Sequence, residues 1–302
     1  MSRAALRPPS GRQGPGPLPA GLVDALDLAI ARRAAGVLPG ERKAPGVGMG
    51  TELFHLRPYV PGDDVRQLDP SASARTGVPH VRLQVPERAL TTWIVLDVSP
   101  SMAFGTADRL KADVAEGVAL VVGRLATRRG GRVGLLTSGA RVQRFLPPRS
   151  GRGAFGPLRR LLSEGVAPDG HHDPEALART LRRVAQLARH PGLIVVISDF
   201  RGARTWRRAM AALRARHTTL AVEVRDPRES ELPAVGFLAL VDPETGERVE
   251  VDTHSARLRE RFAEAEAEER SAVAGELRHS LAEHIVLTTE GDWLRTLGGR
   301  LR

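Results

Sequence analysis

The chain has 302 residues, of which 41% are hydrophobic and 4% aromatic, and it carries a formal net charge of +10. This length is enough for one large α/β domain with an accessory segment, whereas two full domains would be crowded. The chain contains no cysteine, which excludes disulfides, thiolate metal sites and cysteine nucleophiles. No apolar run approaches the roughly 20 residues that span a bilayer, and no signal-peptide core is present, so we expect a soluble cytoplasmic protein.

The positive charge comes almost entirely from arginine. Only Lys43 and Lys111 are lysines, which leaves 43 arginines among the 45 basic side chains. Many arginines alternate with apolar residues, as Arg182 and Arg183 do beside Leu181, and this spacing is typical of a solvated helix face. Because few aromatic side chains are available for base stacking and no nucleic-acid-binding motif is present, we expect no specific nucleic-acid site.

The pattern before residue 90 differs from the pattern after it. Residues 1–20 are rich in proline and glycine, and such a segment buries too little apolar surface to offset its ordering entropy, which predicts a disordered leader. Residues 21–90 are expected to form an accessory segment. It would contain an amphipathic helix over 22–35 and extended structure over 56–87, including the alternating run 80–85.

Arginines and aspartates alternate in this accessory segment around a Pro61-Gly62 turn. Arginine forks pair well with carboxylates and backbone carbonyls, so the pattern favours a charge network that holds an irregular segment in place over a catalytic role. No nucleophile stands at a recognisable spacing from a base, and no phosphate-binding glycine loop follows a strand. The residues of this signature are Arg57, Tyr59, Gly62, Asp63, Asp64, Arg66, Asp69 and Arg75.

From residue 91 to residue 302, strand patterns alternate with helical ones, which predicts a mostly parallel sheet flanked by helices. The segments 92–97 and 193–198 are built around unbroken apolar runs, 93–96 and 193–197, as buried parallel strands are. A hairpin is expected over 237–251, because a Pro-Glu-Thr-Gly turn separates two strand patterns. The other expected elements are strands near 133–137, 142–145, 219–224 and 285–289, and helices near 107–127, 155–162, 174–188, 205–216 and 255–281, with a short helix at Trp293.

Oxygen-bearing side chains follow both fully apolar strands. Asp97, Ser99 and Ser101 form a D-x-S-x-S run after the first strand, and Asp199 follows the second. Ligands collect beyond the carboxyl ends of parallel strands, so neighbouring strands would bring these groups together. Two such carboxylates repel unless a cation lies between them or helix N-termini hold them. The pattern predicts a site for Mg²⁺ or Mn²⁺, although Asp and Ser are also ordinary caps and turn formers.

These residues resemble the metal-ion-dependent adhesion site of the von Willebrand factor A fold. Segments 56–69, 73–76, 226–229 and 242–246 are in addition similar to the bacterial family called domain of unknown function fifty-eight, and the likeness covers about residues 45–300. The resemblance implies a Rossmann-like α/β fold and a divalent-cation site. It also implies a partner protein, a MoxR-type AAA+ ATPase or the client that this ATPase remodels.

The chain departs from the family pattern in the middle metal loop. The resemblance places a threonine hydroxyl there, whereas this chain has His172 within Gly-His-His-Asp. An imidazole suits zinc, copper or nickel better than magnesium. His172 would therefore change the metal preference, relay a proton, or simply face solvent. A second departure is Pro70, which stands where the family carries a tryptophan.

The leading hypothesis is a non-enzymatic interaction module, in which a bound ion leaves one coordination position for a carboxylate of the partner. Two alternatives from other classes stay open. One is a metal-dependent hydrolase or phosphatase with His172 as acid or base. The other is nucleic-acid binding through arginine, whose affinity would fall steeply as the salt concentration rises.

Overall fold

The structure of the protein is a computed structural model, which describes residues 53–84, 90–128, 130–167 and 173–300. The predicted leader and the predicted helix over 22–35 lie outside the described residues. The described residues fall into two compact units, the first of which ends before residue 90.

The first unit contains a two-stranded antiparallel sheet. Strand β1 (Leu53–Pro58) pairs with strand β2 (His80–Gln84), with Leu56 opposite Arg82 and Pro58 opposite His80. Val81 of β2 is buried. The extended structure expected from the alternating run around residue 80 is therefore present.

A short helix, α1 (Pro70–Thr76), lies between these two strands in the chain, where we predicted extended structure only. The side chain of Asp69 caps this helix by accepting a hydrogen bond from the backbone N–H of Ala72 at 2.9 Å. Pro70 occupies the first turn, where its missing N–H has no consequence, and Gly77 ends the helix with a φ of +72°. Capping chemistry decides the conformation here, because the segment is too short for a helical apolar period.

The second unit is built on a sheet of six strands. In space the strands follow the order β10-β7-β6-β3-β4-β5, and all neighbours are parallel except β4 and β5. The predicted, mostly parallel sheet is confirmed. The strands of this unit are β3 (Thr91–Asp97), β4 (Arg132–Ser138), β5 (Phe145–Ser150), β6 (Leu193–Ser198), β7 (Thr218–Arg225), β8 (Phe237–Val241), β9 (Arg248–Asp252) and β10 (Glu283–Thr288).

Helices cover both faces of this sheet. Alternate residues of β3 point to opposite faces, so Ile94 and Leu96 pack with α2, α3 and α7, while Trp93 and Val95 pack with α4, α5 and α6. Both faces of β3 are thus buried, which explains why its sequence is continuously apolar. The helices are α2 (Lys111–Arg128), α3 (Arg152–Leu162), α4 (Ala176–Leu187), α5 (Arg207–Leu213), α6 (Ala256–His279) and α7 (Trp293–Arg300).

Strand β5 differs from its prediction, which placed a strand at 142–145. The observed strand starts at Phe145 and contains Pro147 and Pro148, two residues that normally argue against a strand because they donate no backbone hydrogen bond. They are tolerated because β5 is the edge strand of the sheet. Val142 is instead an exposed residue of the preceding turn.

The predicted hairpin is present as a separate two-stranded sheet. Strands β8 and β9 pair antiparallel, from Phe237 opposite Asp252 to Val241 opposite Arg248. The connecting turn is closed by a hydrogen bond from the N–H of Gly246 to the carbonyl of Asp242 at 2.8 Å. The hairpin hydrogen-bonds to no strand of the six-stranded sheet within the described part of the chain.

Candidate functional site

The two predicted acids lie at the carboxyl ends of neighbouring strands, at the edge of the sheet where the parallel strands end. β3 and β6 are parallel neighbours, with Leu96 opposite Ile197, so Asp97 and Asp199 emerge from adjacent strand ends. Both side chains are buried, with relative exposures of 9% for Asp97 and 2% for Asp199. The neighbouring strands that the prediction required are thus observed, and the two carboxylates are close enough to repel each other.

Asp97 is held in place by two hydrogen bonds, one of them short. Its Oδ2 accepts from the hydroxyl of Ser198 at 2.5 Å, and its Oδ1 accepts from the backbone N–H of Ser99 at 2.9 Å. Burial and, next, the negative charge of Asp199 raise the pKa of Asp97 to about 6. A carboxylate whose ionised form is destabilised in this way gains from a nearby cation.

The hydroxyls of Ser99 and Ser101 converge beside this carboxylate. Their Oγ atoms lie 3.1 Å apart, because a 3-10 turn over Pro100–Ala103 brings alternate residues of the loop together. One carboxylate and two hydroxyls form the oxygen-only donor set that suits Mg²⁺ or Mn²⁺. Asp97, Ser99 and Ser101 therefore fit a divalent cation. The described residues contain no group of three or more His, Asp or Glu side chains arranged for metal binding, so hydroxyls and water would complete the coordination.

Asp199 has a cationic partner that the sequence pattern did not predict. The ammonium of Lys111 donates to Asp199 Oδ2 at 2.7 Å and to Glu229 Oε1 at 2.5 Å, and the Lys111 side chain is completely buried. Burial alone would raise the pKa of Asp199, but the charge and hydrogen bond of Lys111 outweigh it and lower this pKa to about 2. The charge of Asp199 is thus balanced by lysine, which the argument from two repelling acids did not foresee.

Further arginines surround the Lys111 ion pairs. Glu229 also contacts Arg201 Nε at 3.1 Å and Arg270 Nη2 at 3.5 Å. Arg270 in turn donates to the backbone carbonyl of Asp199 at 2.9 Å and to Glu223 at 2.8 Å. This network fixes the end of β6, so that the position of Asp199 does not depend on a bound ion.

A cavity of about 660 Å³ opens at this edge of the sheet. The D-x-S-x-S loop forms one wall, and the turn between β8 and β9 forms another. Trp206 also lines the cavity, and its indole N–H has no hydrogen-bond partner among the described residues. The cavity thus combines the candidate cation donors with an apolar wall.

His172, the remaining predicted site residue, lies outside the described residues. The next residue, Asp173, lines the cavity and forms an ion pair with Arg179. The structure therefore places the middle loop near the sheet edge through Asp173, whereas the role predicted for His172 stays a prediction.

The signature residues lie in the first unit and act through pairing and capping. Arg57 Nη2 contacts Asp63 Oδ1 at 2.6 Å, and the other oxygen of Asp63 accepts from the N–H of Val60 at 2.9 Å. This turn needs Gly62, whose φ of +108° disfavours any side chain. The network is thus local, and it connects a strand end to the turn that follows it.

The other acidic signature residues cap helical turns. Asp64 accepts from the backbone N–H of Arg66 at 2.9 Å, and Asp69 caps α1 as described above. Tyr59 contributes its backbone N–H, which donates to the carbonyl of Pro79 at 2.8 Å. Arg75 lies in the last turn of α1, where a positive charge interacts favourably with the helix dipole.

Comparison with known proteins agrees with this architecture. Residues 55–272 match the family described as protein of unknown function DUF58. The chain belongs to this family. Among curated relatives, the uncharacterized protein Rv1480 of Mycobacterium tuberculosis is 38% identical over 294 residues, which cover 96% of this chain and 92% of the relative. The uncharacterized protein Mb1516 of Mycobacterium bovis matches with the same identity and coverage.

Solved structures with some similarity to the chain are found at low sequence identity and low TM-score. The conserved hypothetical protein BatB from Bacteroides thetaiotaomicron is 14% identical, covers 70% of this DUF58 chain and 97% of its own, and has a TM-score of 0.43. The von Willebrand factor type A protein from Catenulispora acidiphila is 15% identical, with coverages of 61% and 43% and a TM-score of 0.36. The mostly parallel six-stranded sheet with helices on both faces gives the second unit of the DUF58 chain the von Willebrand factor A-like architecture that the sequence predicted.

The prediction of a cytoplasmic location is contradicted. An aerotolerance-related membrane protein from Bacteroides fragilis, with 14% identity, coverages of 70% and 98% and a TM-score of 0.43, is among the similar structures. The prediction relied on the lack of a long apolar run, and such a lack does not determine where a protein resides. None of the helices in the described ranges combines the length and apolarity needed to cross a bilayer.

Proposed function

We propose that this DUF58 protein is a non-enzymatic interaction module that binds a divalent cation, Mg²⁺ or Mn²⁺, at the edge of its sheet. The convergence of the Ser99 and Ser101 hydroxyls, 3.1 Å apart beside a buried Asp97, carries the proposal. When bound, the ion would supply a positive charge with one coordination position for a carboxylate of a partner protein. The three residues would hold it, and the Ser198 and Ser99 hydrogen bonds orient Asp97 for this purpose.

The charges around the site support this role. Asp199 and Glu229 are both paired with Lys111, so neither carboxylate needs a divalent ion to balance its charge. Of the three acids Asp97, Asp199 and Glu229, Asp97 is the one that remains for the ion, and a single carboxylate in the holding set leaves a divalent cation with net positive charge. That residual charge favours an anionic group of the partner.

The hydrogen bonds of Ser198 support a non-enzymatic role for this hydroxyl. The Ser198 hydroxyl, which lies against an acid, donates to Asp97 and is itself the acceptor for the N–H of Phe200 at 2.9 Å. Its hydrogen bonds thus serve to hold Asp97 and the end of β6.

The partner that we propose, on the family resemblance, is a MoxR-type AAA+ ATPase or its client.

Replacing Asp97 with asparagine is expected to weaken Mn²⁺ binding by on the order of 100-fold, because the ion loses the charge of its anchoring carboxylate, and even outer-shell partners of a metal site contribute about 10–100-fold in affinity. Asparagine keeps the shape of the side chain and removes the repulsion with Asp199, so the variant should fold. Electron paramagnetic resonance of free Mn²⁺ in the presence of the purified chain measures the affinity. Glu247→Gln is the matched control, since Glu247 is an exposed carboxylate that lines the same cavity.

The interaction itself is tested by calorimetric titration with a purified MoxR-type ATPase. Binding that is present with Mg²⁺, lost with EDTA and lost in Asp97→Asn would support the metal-anchored mechanism. Equal affinity of the wild type and Asp97→Asn for Mn²⁺, or binding to the ATPase that EDTA leaves unchanged, would contradict it.

A further inference from the structure

A carboxylate from the hairpin already reaches the D-x-S-x-S loop. The backbone N–H of Ser101 donates to Oε1 of Glu244 at 3.3 Å, although the two residues are 143 positions apart in the chain. Ser101 also supplies one of the two hydroxyls of the candidate cation site. The chain therefore places an anionic group of its own next to the position that the proposed function reserves for a partner.

The turn between β8 and β9 fixes this carboxylate in place. The side chain of Asp242 accepts from the backbone N–H of Glu244 at 2.8 Å, and the N–H of Asp242 donates to the carbonyl of Glu247 at 2.9 Å. Gly246 completes the turn with a φ of +76°. As a result Glu244 is half-buried, whereas Thr245 and the residues after it up to Glu250 are exposed. The turn directs one of its acids towards the sheet edge.

The hairpin itself is packed lightly on the rest of its unit. It is a separate two-stranded sheet, and Phe237, Val241 and Val249 remain exposed by 75%, 49% and 56%. Leu238 is the buried side chain of β8. Elements with few buried apolar side chains open at low free-energy cost. The hairpin can therefore leave the sheet edge without unfolding the domain.

We propose that the β8–β9 hairpin is an internal lid and that Glu244 takes the position of the partner's carboxylate, so that lid and partner exclude each other. This inference rests on the proposed function and adds its regulation. A tethered group acts at a millimolar effective concentration. The lid thus suppresses the binding of isolated carboxylates of low affinity. A partner that also binds the exposed hairpin strands or the apolar cavity wall displaces the lid.

The inference is tested with the full chain loaded with Mn²⁺ and with acetate as the probe. Acetate that binds the ion displaces water, which lowers the relaxation enhancement of the water protons. Glu244→Gln removes the charge of the lid and keeps its size, so we expect about fivefold tighter acetate binding than in the wild type. Glu247→Gln, in the same turn but without a contact to Ser101, should match the wild type.

A second measurement tests the contact itself. Hydrogen exchange of the Ser101 amide, followed by NMR, should be about fivefold faster in Glu244→Gln than in the wild type or Glu247→Gln, because one hydrogen bond to a charged acceptor is weakened. If the wild type and both variants bind Mn²⁺ but have equal affinity for acetate, the lid is overturned and the metal site stands. Failure of all three to bind Mn²⁺ would instead overturn the proposed function, and the lid with it.

Discussion

Replacement of Lys111 by methionine is expected to lower the free energy of unfolding by about 3–5 kcal/mol. The Lys111 ammonium is completely buried and donates to Asp199 at 2.7 Å and to Glu229 at 2.5 Å. Methionine fills a similar volume but leaves two buried carboxylates without their common counter-ion. Urea denaturation at neutral pH measures the change, provided that the slope of the transition is the same in both proteins.

A double-mutant cycle with Glu229→Gln provides the control. If the ion pairs cause the loss, the double variant should be less destabilised than the sum of the single variants, because the methionine then leaves fewer charges unpaired. Saturating Mn²⁺ should also raise the melting temperature of Lys111→Met more than that of the wild type. Without the lysine, the Asp199 carboxylate becomes available to Mn²⁺. A loss below about 1 kcal/mol would mean that water enters the site and screens the acids.

The site at the carboxyl end of the sheet could be predicted because the two strands that lead to it carry strong local signals. β3 and β6 are buried on both faces, so each is a continuous apolar run, and such strands occupy the middle of a parallel sheet. Asp97 and Asp199 follow these two runs, so the prediction required only that the two strands be neighbours, as they are. The edge strand β5 gave no such signal, because Pro147 and Pro148 are admissible only where one side of a strand is unpaired.

The charge network could not be predicted from local patterns. Lys111 and Asp199 are 88 positions apart, and Lys111 lies at the start of a helix, where a basic residue usually faces solvent. One signal was available in the composition. In a chain with 43 arginines and two lysines, a lysine indicates a position that needs a compact ammonium group rather than a planar guanidinium group. A fully enclosed site between two carboxylates is such a position.

Glu223 shows a second limit of pattern analysis. It lies in β7 between Val222 and Val224, and alternation suggests an outward, solvated side chain. The structure instead buries it completely, because Arg270 of α6 and His284 of β10 cover that face and contact its carboxylate at 2.8 and 2.9 Å. Burial alone would raise the pKa of Glu223, but hydrogen bonds from His284 and Arg225 and the charges of Arg225 and Arg270 lower it. Only the tertiary arrangement supplies these partners.

Replacement of Asp226 by asparagine is expected to lower the free energy of unfolding by about 2–4 kcal/mol at neutral pH. The Asp226 carboxylate is 1% exposed. It accepts from the hydroxyl and the N–H of Thr106 at 2.5 and 2.7 Å, from the N–H of Arg228 at 2.9 Å and from the hydroxyl of Thr289 at 2.6 Å. Asparagine offers one acceptor oxygen and turns an NH₂ group towards these donors. The loop that precedes Lys111 would also lose its anchor, because Thr106 lies in that loop.

The same substitution should reduce the sensitivity of the protein to acid. Burial alone would raise the pKa of Asp226, but the hydrogen bonds from Thr106, Thr289 and Arg228 outweigh it and hold this pKa below its ordinary value of 3.8. The folded-state pKa is depressed, so the stabilisation is fully present above pH 3.8 and is lost as the pH falls through the folded-state value. Denaturation at several pH values should show a constant difference between wild type and variant near neutrality, which narrows below about pH 4. Asp252→Asn, at an exposed carboxylate, should cost less than about 0.5 kcal/mol, and a difference between wild type and Asp226→Asn that does not narrow in acid would contradict the assignment.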